Sequence, residues 1–165
     1  MTTPLRASER PRARDQERPA WPGNAMTVNE RAELLAVADA EAVVALAESC
    51  LAEFGDPVLL APPEVGLVVM QVREPVCAER FHLGEVVVTR AEVEIAGARG
   101  WSMRLGGDRV ATLAAAVCDA VAAAGGALAA DVEQLCAATR HRRAEREAAE
   151  WGAIAPTVVT FEELT

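Results

Sequence analysis

The chain has 165 residues, 52% of them hydrophobic but only 4% aromatic, so a single domain must build its core from Ala, Val and Leu. All 16 basic residues are Arg against 25 acids, and the net charge is −9. Residues 1–25 hold five Arg and three acids, leaving 11 Arg and 22 acids (−11) on residues 26–165, a field that excludes nucleic-acid binding through general charge and requires a local Arg cluster for any anionic ligand.

Residues 1–25, with Pro4, Pro11, Pro19 and Pro22, offer almost nothing to bury and read as a disordered Arg/Pro-rich tail. Two expectations stand side by side for this segment, a flexible tail and a start of translation at Met26, and the folded domain is placed at 26–165. Thr27-Val28-Asn29-Glu30 has capping-box spacing and predicts a helix through Leu34, Leu35 and Ala38. Asp39 caps a second helix. Its buried face is Val43, Ala47, Cys50, Leu51 and Phe54, and Gly55 followed by Pro57 ends it.

The period then changes to two. Val65 to Arg73 reads as a strand closed by Pro75, with Val68, Met70 and Val72 on one face, and Leu59-Leu60 suggests a short edge strand. Glu85 to Ile95 is the clearest strand: Val87, Ala91, Val93 and Ile95 point one way, Arg90, Glu92 and Glu94 the other. After a five-residue loop, Ala96 to Gly100, Trp101, Met103 and Leu105 alternate with Ser102 and Arg104, which predicts an antiparallel hairpin.

Gly106-Gly107-Asp108 opens a third helix with Val110, Leu113, Val117 and Val121 on its buried face, stopped by Gly125-Gly126. A fourth helix spans about Ala129 to Trp151, with Val132, Leu135, Cys136 and Thr139 inward and a charged second half. Thr157 to Phe161 is β-prone yet stands beyond the last helix, an extended C-terminal tail that wants another chain to pair with. The fold class is α+β: two N-terminal helices, an antiparallel meander of three to four strands covered on one face, two C-terminal helices and the tail.

The sequence holds no nucleophile elbow, phosphate loop, dinucleotide fingerprint or paired metal-ligating His motif. Cys50, Cys77, Cys118 and Cys136 form no C-x-x-C, only His82 and His141 can assist them, and neither a metal nor a cofactor is expected. No secretory signal or membrane-spanning run is visible, so the reading is a cytoplasmic protein with reduced thiols that needs no membrane. Candidates for anion binding are Arg80 and His82 beside Gly84, Arg90 on the main strand, and Arg104, placed on the neighbouring strand in the same patch as Arg90. Against these stand ordinary roles. Arg90, Glu92 and Glu94 form a solvated cross-strand network or an interface patch. Asp108 fills its own helix N-terminus as a cap, and Arg140 to Glu150 is a salt-bridged helix face with Arg143–Glu147 and Arg146–Glu150 pairs.

Glu79-Arg80-Phe81-His82-Leu83-Gly84-Glu85, then Thr89-Arg90-Ala91, Gly100-Trp101-Ser102, Gly107-Asp108 and Cys118-Asp119-Ala120, resemble in order and spacing the G-type (PhnG) subunit family of carbon–phosphorus lyase. Thr157, Val159 and Phe161 fit that family's C-terminal T-x-V-x-F pattern. The resemblance covers residues 28–165; His82 stands where the pattern carries an aromatic, and the first 25 residues are extra. It implies a cytoplasmic bacterial core complex of four subunit types, G, H, I and J, two copies each. With nucleotide-binding helpers, that complex transfers a phosphonate to the ribose C1 of ATP and releases adenine; a later radical step on an iron–sulfur subunit breaks the carbon–phosphorus bond.

Two classes of function follow. In one, the chain is a non-autonomous partner subunit, inactive alone, that contacts other chains through Arg90, Trp101, Val159 and Phe161. In the other it supplies anion-binding catalytic residues directly, from Arg80, His82, Arg90 and Arg104. A stand-alone small-molecule binding domain is a third and weaker reading.

Overall fold

The computed structural model describes residues 26–74 and 77–157. Helices α1 (Val28–Val37) and α2 (Ala40–Phe54) precede strands β1 (Val58–Arg73), β2 (Arg80–Ile95) and β3 (Ala98–Leu105), and helices α3 (Arg109–Ala124) and α4 (Ala127–Ile154) follow, ending in a 3-10 turn at Ala155–Thr157. The fold is the expected α+β one, with a three-stranded antiparallel sheet in the order β1-β2-β3. The expected tail contacts at Val159 and Phe161, and residues 1–25, lie outside the described residues.

Local chemistry sets the helix ends. The hydroxyl of Thr27 accepts from the Glu30 N–H at 3.2 Å, and the Asp39 and Asp108 carboxylates accept from the N–H of Ala42 (3.0 Å) and Ala111 (2.9 Å). The Glu30 carboxylate meets the Arg140 guanidinium, which ties α1 to α4.

Helix α3 is the centre of the domain. Its inner side lies on β2 and β3, and α1, α2 and α4 pack around the rest. Every residue from Ala111 to Val121 except half-buried Leu113 is therefore buried. Val110, expected on the buried face, is exposed, because the first turn projects past the covering elements. Ala at 111, 114, 115, 116 and 120 lets these five elements approach one helix closely, and no aromatic side chain is fully buried among the described residues.

The strands differ from expectation in three ways. Leu59 and Leu60 belong to β1 itself, which runs through Pro62-Pro63 with register irregularities on either side of Ala61; prolines lack a donor, and an edge strand tolerates that. Strand β2 starts at Arg80 rather than Glu85, so Arg80 to Gly84 extends the strand and pairs with β1. The β2–β3 connection has two residues, Ala96 (φ 52°) and Gly97 (φ 75°), rather than five. Positive φ at both central positions is the primed hairpin turn, whose twist matches the strands.

That short turn pairs Ile95 with Ala98, Val93 with Gly100, Ala91 with Ser102 and Thr89 with Arg104. A five-residue loop would have set Ile95 opposite Trp101 instead. The shift of three residues exchanges the faces of β3. Gly100, Ser102 and Arg104 thus face α3 and α1, and Trp101, Met103 and Leu105 face outward beside Arg90 and Glu92.

Helix α4 is half a core helix and half an arm. Val132, Cys136 and Thr139 are buried, whereas every residue from Arg140 to Thr157 is exposed. The arm carries Arg143–Glu147 (2.8 Å) and Arg146–Glu150 (3.7 Å), the i,i+4 pairs read from the sequence, and in addition a His141–Glu145 contact (3.2 Å). No helix among the described residues is long and apolar enough to cross a membrane.

Candidate partner and ligand-binding surface

The outer face of the sheet is uncovered. There Arg90 stands opposite Glu64 of β1 and Met103 of β3, Glu92 opposite Trp101, and Glu94 opposite Arg99. Arg99 and Glu94 approach to 3.6 Å, both well exposed, which is a weak ion pair. Arg90, Glu92, Arg99, Trp101 and Met103 line an open recess of about 350 Å³. Trp101 is 44% exposed in this recess, a large apolar surface between charges of both signs.

Arg104 is not part of this patch. It lies on the inner face, and its guanidinium donates to the carbonyls of Leu35 and Ala38, the latter at 2.6 Å. These are unpaired acceptors at the C-terminal end of α1, so Arg104 is the cap of that helix. Burial lowers its pKa, opposed by the nearby Asp108 and Asp39 carboxylates. Arg104→Ala is expected to destabilise the chain by about 2 kcal/mol, read from the urea midpoint, because the buried carbonyls lose charged donors.

Arg80 and His82 lie far along the β1–β2 ribbon. Arg80 pairs with Arg73, and His82 with Gln71, whose Nε2 lies 3.4 Å from the imidazole Nε2. They share no recess with Arg90. The four candidate residues thus occupy three places: the outer face (Arg90), the inner face (Arg104) and the ribbon (Arg80, His82). A second cleft of about 220 Å³, between the α1–α2 junction and α4, is lined by Asp39, Thr139, Arg142, Arg143 and Arg146.

Sequence reasoning missed two features. Arg31 Nε donates to Asp119 Oδ1 at 2.6 Å, and both side chains are almost wholly buried. Asp119 Oδ2 also accepts the backbone N–H of Trp101 at 3.1 Å, so one carboxylate joins α1, α3 and β3. The available signal was an Asp inside the apolar run Ala114 to Val121. The second feature is Gly100, where a Cβ would fall 2.2 Å from both the Ala116 carbonyl oxygen and the Ala120 nitrogen. Strand β3 therefore touches the α3 backbone just before Trp101.

The thiols fit a packing role. Cys50, Cys118 and Cys136 are buried and Cys77 is exposed. Hydrogen bonding to Cys50 and then burial push the Cys118 thiol far up, and burial pushes Cys136 to about 11. Alkylation of the native chain at pH 8 is expected to label Cys77 alone, with the other three reacting only in denaturant, as intact mass would show. No group of three or more His, Cys, Asp or Glu among the described residues is placed to hold a metal ion.

No match to this sequence was found among curated proteins. The family model described as "Phosphonate metabolism protein PhnG" matches residues 27–165. It begins at Thr27, the N-cap of α1, and takes in every element of the fold. The order of sequence segments, the α+β framework they build and this match agree, and the chain belongs to the PhnG family of phosphonate metabolism proteins.

Proposed function

We propose that the chain is a non-autonomous subunit of the carbon–phosphorus lyase core complex, where it supports transfer of a phosphonate to the ribose C1 of ATP with release of adenine. The family implies partners of the I, H and J types, two copies of each chain, in the cytoplasm. One observation carries the reading: the domain projects surfaces that it does not cover itself. The β1–β2 ribbon exposes Leu67, Val69 and Val87 at 62%, 59% and 46%, the outer face exposes Trp101, and the α4 arm exposes Trp151 and Ile154. Exposed apolar surface on this scale marks a contact with another chain.

Charge supports the same division of labour. A phosphonate beside a triphosphate carries several negative charges, and the domain is acidic, without Lys and without a phosphate loop. It is better suited to shape a neighbour's site than to hold that ligand alone. The test is co-expression with the I-type chain: the two are expected to purify together, and the single chain to leave ATP and methylphosphonate unchanged. Turnover by the purified single chain would refute the proposal.

A second reading has one observation in its favour, the placement of Arg90 beside Trp101 in an open recess. In it Arg90 binds the reacting anion directly. Arg90→Ala would then abolish turnover while the complex still assembles. Assembly lost with turnover would assign Arg90 to the interface instead.

A further inference from the structure

The core-facing side of the sheet outruns its own cover. Thr89 is fully buried there, but Val87, two residues along on the same face, is 46% exposed. Opposite these two on β1 stand Val65 and Leu67, 39% and 62% exposed, and Val69 follows at 59%. The face is already polar at Glu85, directly opposite Val69, continues with Gln71 and His82, and ends at Arg73 directly opposite Arg80. Strand β3 stops at Leu105, level with Val88, and Gly106 donates to the Val87 carbonyl at 2.9 Å as the chain turns away into α3. The ribbon past that point therefore has two strands and no helix beneath it.

We propose that this strip seats one amphipathic helix of a partner chain, apolar toward Leu67, Val69 and Val87 and acidic toward Arg73 and Arg80. The proposal rests on the subunit reading above. A helix is the fitting occupant because the need is for a layer. An added strand would pair with the edge of β1 and leave the apolar face wet, whereas α3 already shows that this same face is covered by a helix. Eight residue steps from Val65 to Arg73, at about 3.3 Å each, give a strip of about 26 Å. A helix of about 18 residues spans that length.

Charge sets the polarity of the occupant. Two like charges directly opposite on a strand pair destabilise it. Neither Arg73 nor Arg80 forms an ion pair among the described residues. Their chain neighbours Glu74 and Glu79 alternate to the other face, so on this face the two Arg call for negative charge from outside, supplied by acidic side chains of the incoming helix.

The experiment co-expresses the full chain with the companion core subunits proposed above and measures assembly by quantitative pull-down and sedimentation. Leu67→Asp is expected to weaken assembly about tenfold or more, as for a buried apolar anchor. Reversing the tip with Arg73→Glu and Arg80→Glu together should weaken it several-fold and flatten its salt dependence. Val28→Asp, at a site 58% exposed but away from the strip, should change neither. Circular dichroism of each variant confirms that the fold is kept. A photo-crosslinking residue at position 67 should join a helical partner peptide bearing acidic residues at one end. Unchanged assembly with Leu67→Asp, a crosslink to a loop or strand of the partner, or one to a second copy of this chain overturns the proposal and leaves the subunit reading standing. Failure of the unaltered chain to assemble at all overturns both.

Discussion

Gly100→Ala is expected to lower the unfolding free energy by about 3 kcal/mol, although it adds a single methyl group. The new Cβ would lie 2.2 Å from the Ala116 oxygen and from the Ala120 nitrogen, and 2.8 Å from the Ala120 Cα. These are backbone atoms of the central helix, which cannot turn aside as a side chain can. Relief requires α3 to lift off β3, and α3 also carries the contacts with α1, α2 and α4. The urea midpoint should fall with little change in slope. Gly66→Ala is the control, since nothing lies within 4 Å of its Cβ position and it needs no unusual backbone angle. If the two variants unfold at the same urea concentration, β3 and α3 are not in the contact described.

Asp119→Ala should cost about 3–5 kcal/mol, the range for removing one partner of a buried ion pair. Arg31 is 8% exposed, so its guanidinium would be left in the core with no carboxylate, and the Trp101 N–H would lose its acceptor at the same time. The charge does not make the pair a net source of stability, because two ions were desolvated to bury it. Arg31→Met combined with Asp119→Leu should therefore recover much of the loss, a large favourable coupling in a double-mutant cycle. A Asp119→Ala chain within about 0.5 kcal/mol of the parent, the range of ordinary surface changes, would show that the pair is not buried in solution.

These two sites also mark where sequence reasoning reached its limit. Helix starts were legible because a cap is a local event: Thr27, Asp39 and Asp108 each bond an N–H three residues on. The strand alternation of Ala91, Val93 and Ile95 was legible for the same reason. Gly100 read as part of a loop, because what forbids a side chain there is a helix that begins nine residues later. Asp119 appeared only as a polar residue in an apolar run, since its partner lies 88 residues away in α1.

The candidate residues divide along the same line. Arg90 was correctly set on the face with Glu92 and Glu94, a matter of counting along one strand. Its neighbours on β3 depended on the connecting turn. The difference between a five-residue loop and the two-residue Ala96-Gly97 turn is odd, so it exchanged the two sides of β3. That exchange sent Arg104 inward to cap α1 and brought Trp101 outward to join Arg90.

By itself the sequence determined the element order, the helix caps, the α+β class and the family, because each follows from neighbours in the chain or from the order of short segments. Only the tertiary structure decided which β3 side chains share a face with Arg90, that Arg31 and Asp119 meet in the core, and that the β1–β2 ribbon extends its apolar face beyond α3. Those are distances between residues remote in sequence, fixed by a turn's length and by how closely small side chains let a helix approach a sheet.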